Sequence, residues 1–217
     1  MKNIFITLVF LFTAIVTSSS SDWTFEINPK NIKMFSADKL QRPKWYLDSF
    51  KVKNMVNLSF FNSKTYIGPY KDDRVVSFNF KRRWSFFTIE NGEAFIYDGK
   101  SWGQSVNPTF TNGLEPNYVV SGYPVLVRDG QRTKITKSFF SRRRCPRTAI
   151  GIHPNGSLIL YVTSSATLKE LQSYFLSMGC TDAINFDGGS STFLYLDGKK
   201  VYSSNQGRSY PNVLSWE

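Results

Sequence analysis

The sequence predicts an α+β fold: a single β-rich domain with a mixed sheet and a few helices. Three observations predict it. Aromatic residues make up 16% of the chain, with 19 Phe, 11 Tyr and 5 Trp, a composition that suits pleated, half-buried surfaces. Asn-Gly and Asp-Gly pairs recur between short apolar runs, at Asn91-Gly92, Asp98-Gly99, Asn112-Gly113, Asp129-Gly130, Asn155-Gly156 and Asp197-Gly198. Such pairs supply the positive φ angles of tight hairpin turns. One well-signalled helix then interrupts this rhythm.

The chain has 217 residues, enough for a sizeable core. Residues 1–21 stand outside it. Lys2 is followed by an apolar run over residues 4–16, then by Thr17, Ser18, Ser19, Ser20 and Ser21. A basic start, a short apolar run and small residues read as a secretory signal peptide, with an uncleaved anchor as the alternative. The run falls short of the roughly 20 residues a membrane span needs. No Cys follows it, which argues against a bacterial lipoprotein. Cleavage leaves no stable membrane anchor and places the protein in the secreted or periplasmic space. Residues 22–51 form an N-terminal segment with one short helix near 36–40. Residues 52–217 form the main domain, and no composition shift divides it.

Within that domain the flanks of the turn pairs read as strands at 84–90, 94–97, 118–128, 149–152, 158–162 and 193–196. The helix begins at Thr167-Leu168-Lys169-Glu170, a capping box in which hydroxyl and carboxylate each satisfy a free N–H. Leu168, Leu171, Phe175 and Met178 share one helical face. Gly179 supplies the C-terminal cap. A strand at 182–186 follows, completing a strand–helix–strand unit.

Lys and Arg outnumber Asp and Glu 27 to 16, and the resulting net charge of +11 points to an anionic partner. The runs Lys81-Arg82-Arg83 and Arg142-Arg143-Arg144 suit either nucleic acid or solvated turns, and export favours the second. Outside the cytoplasm the expected partners are anionic glycans or phosphate-bearing polymers, with no nucleic acid. In an oxidising compartment the two cysteines, Cys145 and Cys180, permit one intramolecular disulfide; the alternative is two buried free thiols.

Several chemistries are excluded by what the chain lacks. It has no Walker A loop, no GxGxxG and no Gly-x-Ser-x-Gly elbow. The one histidine, His153, precedes Pro154 and a turn, which suits a surface position better than a triad. Among the carboxylates, Asp98, Asp129 and Asp197 serve turns and Glu170 serves the helix cap. Asp187 differs, because it ends an apolar strand and opens Gly188-Gly189-Ser190-Ser191. Two glycines let a ligand approach the backbone, and N–H groups there can form an anion-binding nest. A structural Asx turn is the competing reading.

The segment Pro146-Arg147-Thr148-Ala149-Ile150-Gly151, the helix, and then Asp182-Ala183-Ile184-Asn185-Phe186-Asp187-Gly188-Gly189-Ser190-Ser191 resemble the phosphodiester glycosidase family. Weaker echoes are Asn57-Leu58-Ser59-Phe60-Phe61, the stretch from Ser121-Gly122 to Asp129-Gly130, and Arg208 to Asn212. Ser190 replaces a third glycine, and Leu58-Ser59 replace two more.

The resemblance implies an exported hydrolase that cleaves a sugar-1-phosphodiester bond of the N-acetylglucosamine-1-phosphodiester type, in a glycan or cell-envelope polymer. It implies Asp187 and Arg147 as catalytic residues, with the aspartate near the anomeric carbon and the arginine on the phosphate. It implies Thr148, Gly188, Gly189, Ser190, Ser191, Arg208, Asn57 and Gly122 as substrate-binding residues. Asp182 points to the opposite strand face, so no second carboxylate is identified. No cofactor is identified. A hard cation such as Ca²⁺ stays open, without a supporting loop spacing. The alternative is a non-catalytic module that binds anionic cell-surface polymer through the same cleft.

Overall fold

The computed structural model describes residues 22–62, 66–74, 76–78, 84–97, 116–136 and 142–217. The segment read as a signal peptide (residues 1–21), Lys81-Arg82-Arg83 and the turns read at Asp98-Gly99 and Asn112-Gly113 lie outside the described residues. The class is α+β, but the strands divide among three sheets rather than forming one mixed sheet. All described pairings are antiparallel. Tight turns at Asn91-Gly92, Asp129-Gly130 and Asp197-Gly198 account for the hairpin pairs among them, since two-residue loops can join only antiparallel neighbours.

The first sheet orders β1 (Asp22–Ile27), β12 (Leu158–Ala166), β11 (Cys145–Ile152), β13 (Asp182–Asn185), β9 (Val125–Arg128) and β10 (Gln131–Arg132). The second orders β15 (Lys199–Ser203), β14 (Phe193–Leu196), β3 (Asn54–Asn57), β16 (Tyr210–Trp216) and β2 (Ile32–Gln41). The third orders β5 (Val76–Phe78), β4 (Pro69–Lys71), β8 (Tyr118–Gly122), β6 (Ser85–Glu90) and β7 (Glu93–Tyr97). Asn91-Gly92, Asp129-Gly130 and Asp197-Gly198 all adopt the positive φ angles their hairpins demand. Residues 36–40 are extended within β2, not helical. The helix lies further on, as α1 (Pro43–Phe50), where Pro43 takes the first helical position.

The three sheets share a central core built from Ile27, Met34, Val56, Leu58, Phe87, Val120, Ile150, Leu160, Ile184 and Leu214. Strand periodicity decides which side chains reach it. In β12, Leu158, Leu160 and Val162 enter this core, while Ile159 and Tyr161 point to the other face. There they meet Leu168, Leu171 and Phe175 of α2 (Leu168–Ser177), so the first sheet is buried on both sides. A third cluster packs Tyr46 of α1 on Met55, Phe193, Tyr210 and Val213.

The predicted capping box is present. Thr167 N–H donates to Glu170 Oε2 at 2.8 Å, and Glu170 N–H donates to Thr167 Oγ1 at 3.3 Å. Glu170 also pairs with Arg144, which is how one arginine of the 142–144 run is used. Met178 sits at the C-cap and is exposed, so the apolar face ends at Phe175. Thr167→Ala removes one acceptor and should lower stability by about 1 kcal/mol, a fall of roughly 3 °C in Tm by thermal melt.

The disulfide does not form: Cys145 and Cys180 are both free thiols. Cys145 opens β11, opposite Ala166. Cys180 Sγ packs beside Gly151, six residues further along the same strand, which puts the two cysteines about 20 Å apart. A disulfide requires Cα atoms within about 7 Å. Burial pushes the Cys180 thiol up to about 12. Titration with a thiol reagent should therefore find two reactive groups in denaturant and only Cys145 in the native protein. A disulfide would give none in either.

Candidate active site

Asp187 stands where the first and second sheets meet. Phe186 N–H donates to the Thr148 carbonyl at 2.9 Å, and the next residue, Asp187, donates its N–H to the Leu58 carbonyl at 3.0 Å. The chain thus leaves β13 and is caught at once by the exit of β3.

Three buried asparagines fix this junction. Asn57 Nδ2 donates to the Asp187 carbonyl at 2.7 Å. Its Oδ1 accepts from Thr148 Oγ1 at 2.7 Å and from Phe193 N–H at 3.3 Å. Asn185 Nδ2 donates to the Tyr123 carbonyl at 2.8 Å, and Tyr123 N–H donates to the Asn185 carbonyl at 2.8 Å. Asn212 Oδ1 accepts from Ser59 N–H at 3.1 Å, while its Nδ2 donates to Ser59 Oγ at 2.7 Å. Buried polar groups must be paired, and here the pairing ties β3, β11, β13, β14 and β16 to one point. Asn57 and Thr148 are almost wholly buried and act on the aspartate's backbone from behind.

The turn after Asp187 splits its glycines between two tasks. A Cβ on Gly188 would lie 2.8 Å from the Pro146 carbonyl, so only glycine fits against β11. Gly189 has φ +60°, and no atom lies within 4 Å of where its Cβ would be. The turn is packed on the Gly188 side and open on the Gly189 side. Part of the expected anion nest is already engaged: Gly188 N–H donates to Asp187 Oδ1 at 2.9 Å, and Ser191 N–H to the Gly188 carbonyl at 3.1 Å. Ser191 is buried and hydrogen-bonds the Asp187 side chain, whereas Ser190 is exposed.

The electrostatics of Asp187 follow from this seat. Burial pushes its carboxyl up to about 6; the Ser191 hydrogen bond, the Arg208 charge and the Gly188 N–H oppose that without reversing it. Arg208 Nη1 donates to Ser190 Oγ at 3.2 Å, and its guanidinium carbon lies 4.8 Å above the Phe61 ring. Arg208 Nε is buried and has no partner among the described residues. The same is true of Asn185 Oδ1, Thr192 Oγ1 and the Tyr210 hydroxyl, all in segments that wall the turn.

Arg147 is fully buried beneath the turn, its Cδ 3.5 Å from the position a Gly188 Cβ would take. Its Nε donates to the Ala166 carbonyl at 3.2 Å and its Nη2 to the Arg143 carbonyl at 2.9 Å. Burial lowers its pKa, against the Cys145 thiol and with help from the Arg143 charge. Gly122 faces protein: a Cβ there would lie 2.6 Å from Ile184 Cδ1 and 2.9 Å from the Asn185 carbonyl. Asp182 is distant, paired with Arg128 at the far end of β13. Among the described residues no three His, Cys, Asp or Glu side chains converge on one point.

The site thus gathers Asp187, residues 188–191, Arg208, Asn57, Thr148 and Arg147 in one place. Asn185, Asn212, Phe61 and Tyr210 join them without having been singled out as site residues. Their signal was present, because an amide side chain inside an apolar strand is disfavoured unless it has partners to hold.

The family model for phosphodiester glycosidases matches residues 51–215. The chain belongs to this family. Among solved structures it is similar to the catalytic domain of zebrafish N-acetylglucosamine-1-phosphodiester alpha-N-acetylglucosaminidase, auto-inhibited by its pro-peptide. That match has a TM-score of 0.72 at 15% identity and covers 94% of this chain and 87% of the other. A hypothetical protein from Synechocystis matches with a TM-score of 0.61 at 15% identity, over 92% of this chain and 60% of that one. A candidate exported protein from Burkholderia pseudomallei matches with a TM-score of 0.64 at 10% identity, over 90% and 73%. No curated protein matches the chain.

Proposed function

We propose that this phosphodiester glycosidase homologue is an exported hydrolase of a sugar-1-phosphodiester, of the N-acetylglucosamine-1-phosphodiester type, in a glycan or cell-envelope polymer. The observation that carries the reading is Asp187: one half-buried carboxyl, positioned through its backbone by Asn57 and Leu58, beside an open glycine and an arginine with an unpartnered donor. Water attacks the anomeric carbon, the bond from that carbon to the phosphodiester oxygen breaks, and a phosphate monoester leaves. Such a leaving group departs without strong acid assistance, so the site must chiefly hold the anion and stabilise the oxocarbenium-like carbon. Arg208 and Ser190 take the phosphate, and ionised Asp187 serves the carbon as base, nucleophile or electrostatic partner. Arg147 supports the turn from beneath.

Export is supported by the reading of residues 1–21 and by the likeness to a candidate exported protein. No helix among the described residues is long and apolar enough to cross a membrane. The net charge of +11 would collect the enzyme on polyanionic polymer in a salt-sensitive way. The test is sugar release from UDP-N-acetylglucosamine and from the methyl phosphodiester of N-acetylglucosamine-1-phosphate, with and without chelator. Release by wild type and none by Asp187→Ala supports the reading, and the chelator arm decides metal dependence. Absence of release, with salt-dependent retention on anionic polymer by both proteins, would make the chain a binding module.

A further inference from the structure

An aromatic arc is tied to the Asp187 junction by contacts other than those of Arg208, and the reading above gives it no task. Phe60 and Phe61 both follow the Leu58 carbonyl that receives Asp187 N–H, and their rings diverge. Phe61 lies under the Arg208 guanidinium and 6.2 Å from Tyr210. Phe60 turns the other way, 5.5 Å from Trp84, which in turn meets Tyr123 edge-on at 6.0 Å. Tyr123 is 40% exposed, one of three large apolar side chains at that level among the described residues. Phe60 and Trp84 are half-buried.

The arc is rigidly tied to the site. Both backbone groups of Tyr123 bond Asn185, two residues before Asp187. Trp84 rests over Gly68, whose φ is +92°; a Cβ there would lie 3.0 Å from Trp84 Cγ and 2.6 Å from Ser121 Cβ. The indole seat therefore needs glycine. Charge divides the two sides: an anion goes to Arg208 and Ser190, which leaves the aromatic side for whatever the phosphate is joined to.

Resting on the glycosidase reading, we propose that Phe60, Trp84 and Tyr123 form the sugar subsite, a platform for the pyranose ring on the far side of the scissile bond from the phosphate. One face of a pyranose carries axial C–H groups that pack against the negative face of an aromatic ring, while its hydroxyls remain free for water or polar partners. Stacking on a preformed platform is also sequence-economical, since it needs no charged residue at all.

The experiment uses ligand-detected saturation-transfer NMR on the Asp187→Asn protein. The probes are the methyl α-glycosides of N-acetylglucosamine, glucose, galactose and mannose, which carry no phosphate. At least one probe should show saturation of its ring C–H protons. Tyr123→Ala, at an exposed position, should remove that signal with Tm unchanged, and Trp84→Phe should retain it. In the catalytically intact protein Tyr123→Ala should raise KM about tenfold with kcat nearly unchanged, the size of one lost aromatic contact. Ring saturation that survives Tyr123→Ala and Trp84→Ala would overturn the subsite, as would no saturation with any probe. If turnover is present and the arc variants bind sugar normally, the subsite alone fails. If neither turnover nor sugar binding occurs, the glycosidase reading falls with it.

Discussion

Asp187→Asn is expected to abolish turnover and to stabilise the protein at neutral pH. The two effects share one cause. Burial raises the carboxyl to about 6, well above its ordinary value of 3.8. A carboxyl raised on folding favours the folded state while it is protonated. That contribution is full below about pH 4 and disappears as pH climbs through 6. Above pH 7 the folded protein carries a half-buried charge at a cost on the order of 3 kcal/mol, set by the two-unit difference. Asparagine keeps the shape and has no charge to desolvate. Melts at pH 8 should therefore show the variant several degrees above wild type, and melts at pH 4.5 should show most of that gain gone. Turnover should fall by about a thousandfold or more, the scale of removing an essential group at the reacting centre. In wild type, kcat/KM should rise tenfold per pH unit below about 6 and level above it, because the ionised form acts. Equal melting behaviour at both pH values would show that Asp187 is not strained by burial. A rate that falls as pH rises through 6 would make it a proton donor instead.

Asp187 was legible in the sequence because an acid that ends an apolar strand and precedes two glycines stands out from the other carboxylates, and the Asx-type bond from Gly188 N–H is present beside its burial. The hairpins were legible for a similar reason, since Asn91-Gly92, Asp129-Gly130 and Asp197-Gly198 each dictate their own local geometry. The α2 capping box is equally local. What escaped the sequence is what depends on distant partners. Residues 36–40 look helical in isolation, yet they form a bulge within β2, held extended by pairs to β16 at Ser36 and Gln41 on either side. Cys145 and Cys180 look like a disulfide until β11 separates them. Asn57, which the resemblance implies in substrate binding, is held by Thr148, Asp187 and Phe193, 91 to 136 residues away, and no local pattern encodes such contacts. Arg147 shows the same limit: the resemblance implies an arginine on the phosphate, while the fold closes over its side chain and ties it to the Ala166 and Arg143 carbonyls.

Asn57→Ala should be the most damaging single change outside the reacting group. It strips partners from three buried groups at once: the Asp187 carbonyl, the Thr148 hydroxyl and the Phe193 N–H. Each unpaired buried group costs about 1–3 kcal/mol, and partial relaxation brings the sum to roughly 3–4 kcal/mol, or about 10 °C in Tm. Thr148→Val removes only one hydroxyl and should cost about 1 kcal/mol. If both act on Asp187 through the same lattice, the double variant should lose less than the two losses combined. Asn57→Asp separates positioning from packing. It keeps the shape and the acceptor for Thr148 and Phe193, but it replaces the donor to the Asp187 carbonyl with a buried negative charge. That charge opposes ionisation of Asp187, so the rising limb of kcat/KM should move above pH 6. A merely structural asparagine would lower the amount of folded enzyme and leave that limb where it was. The position of the limb, measured on folded protein, therefore decides whether Asn57 tunes the aspartate or only holds the sheets together.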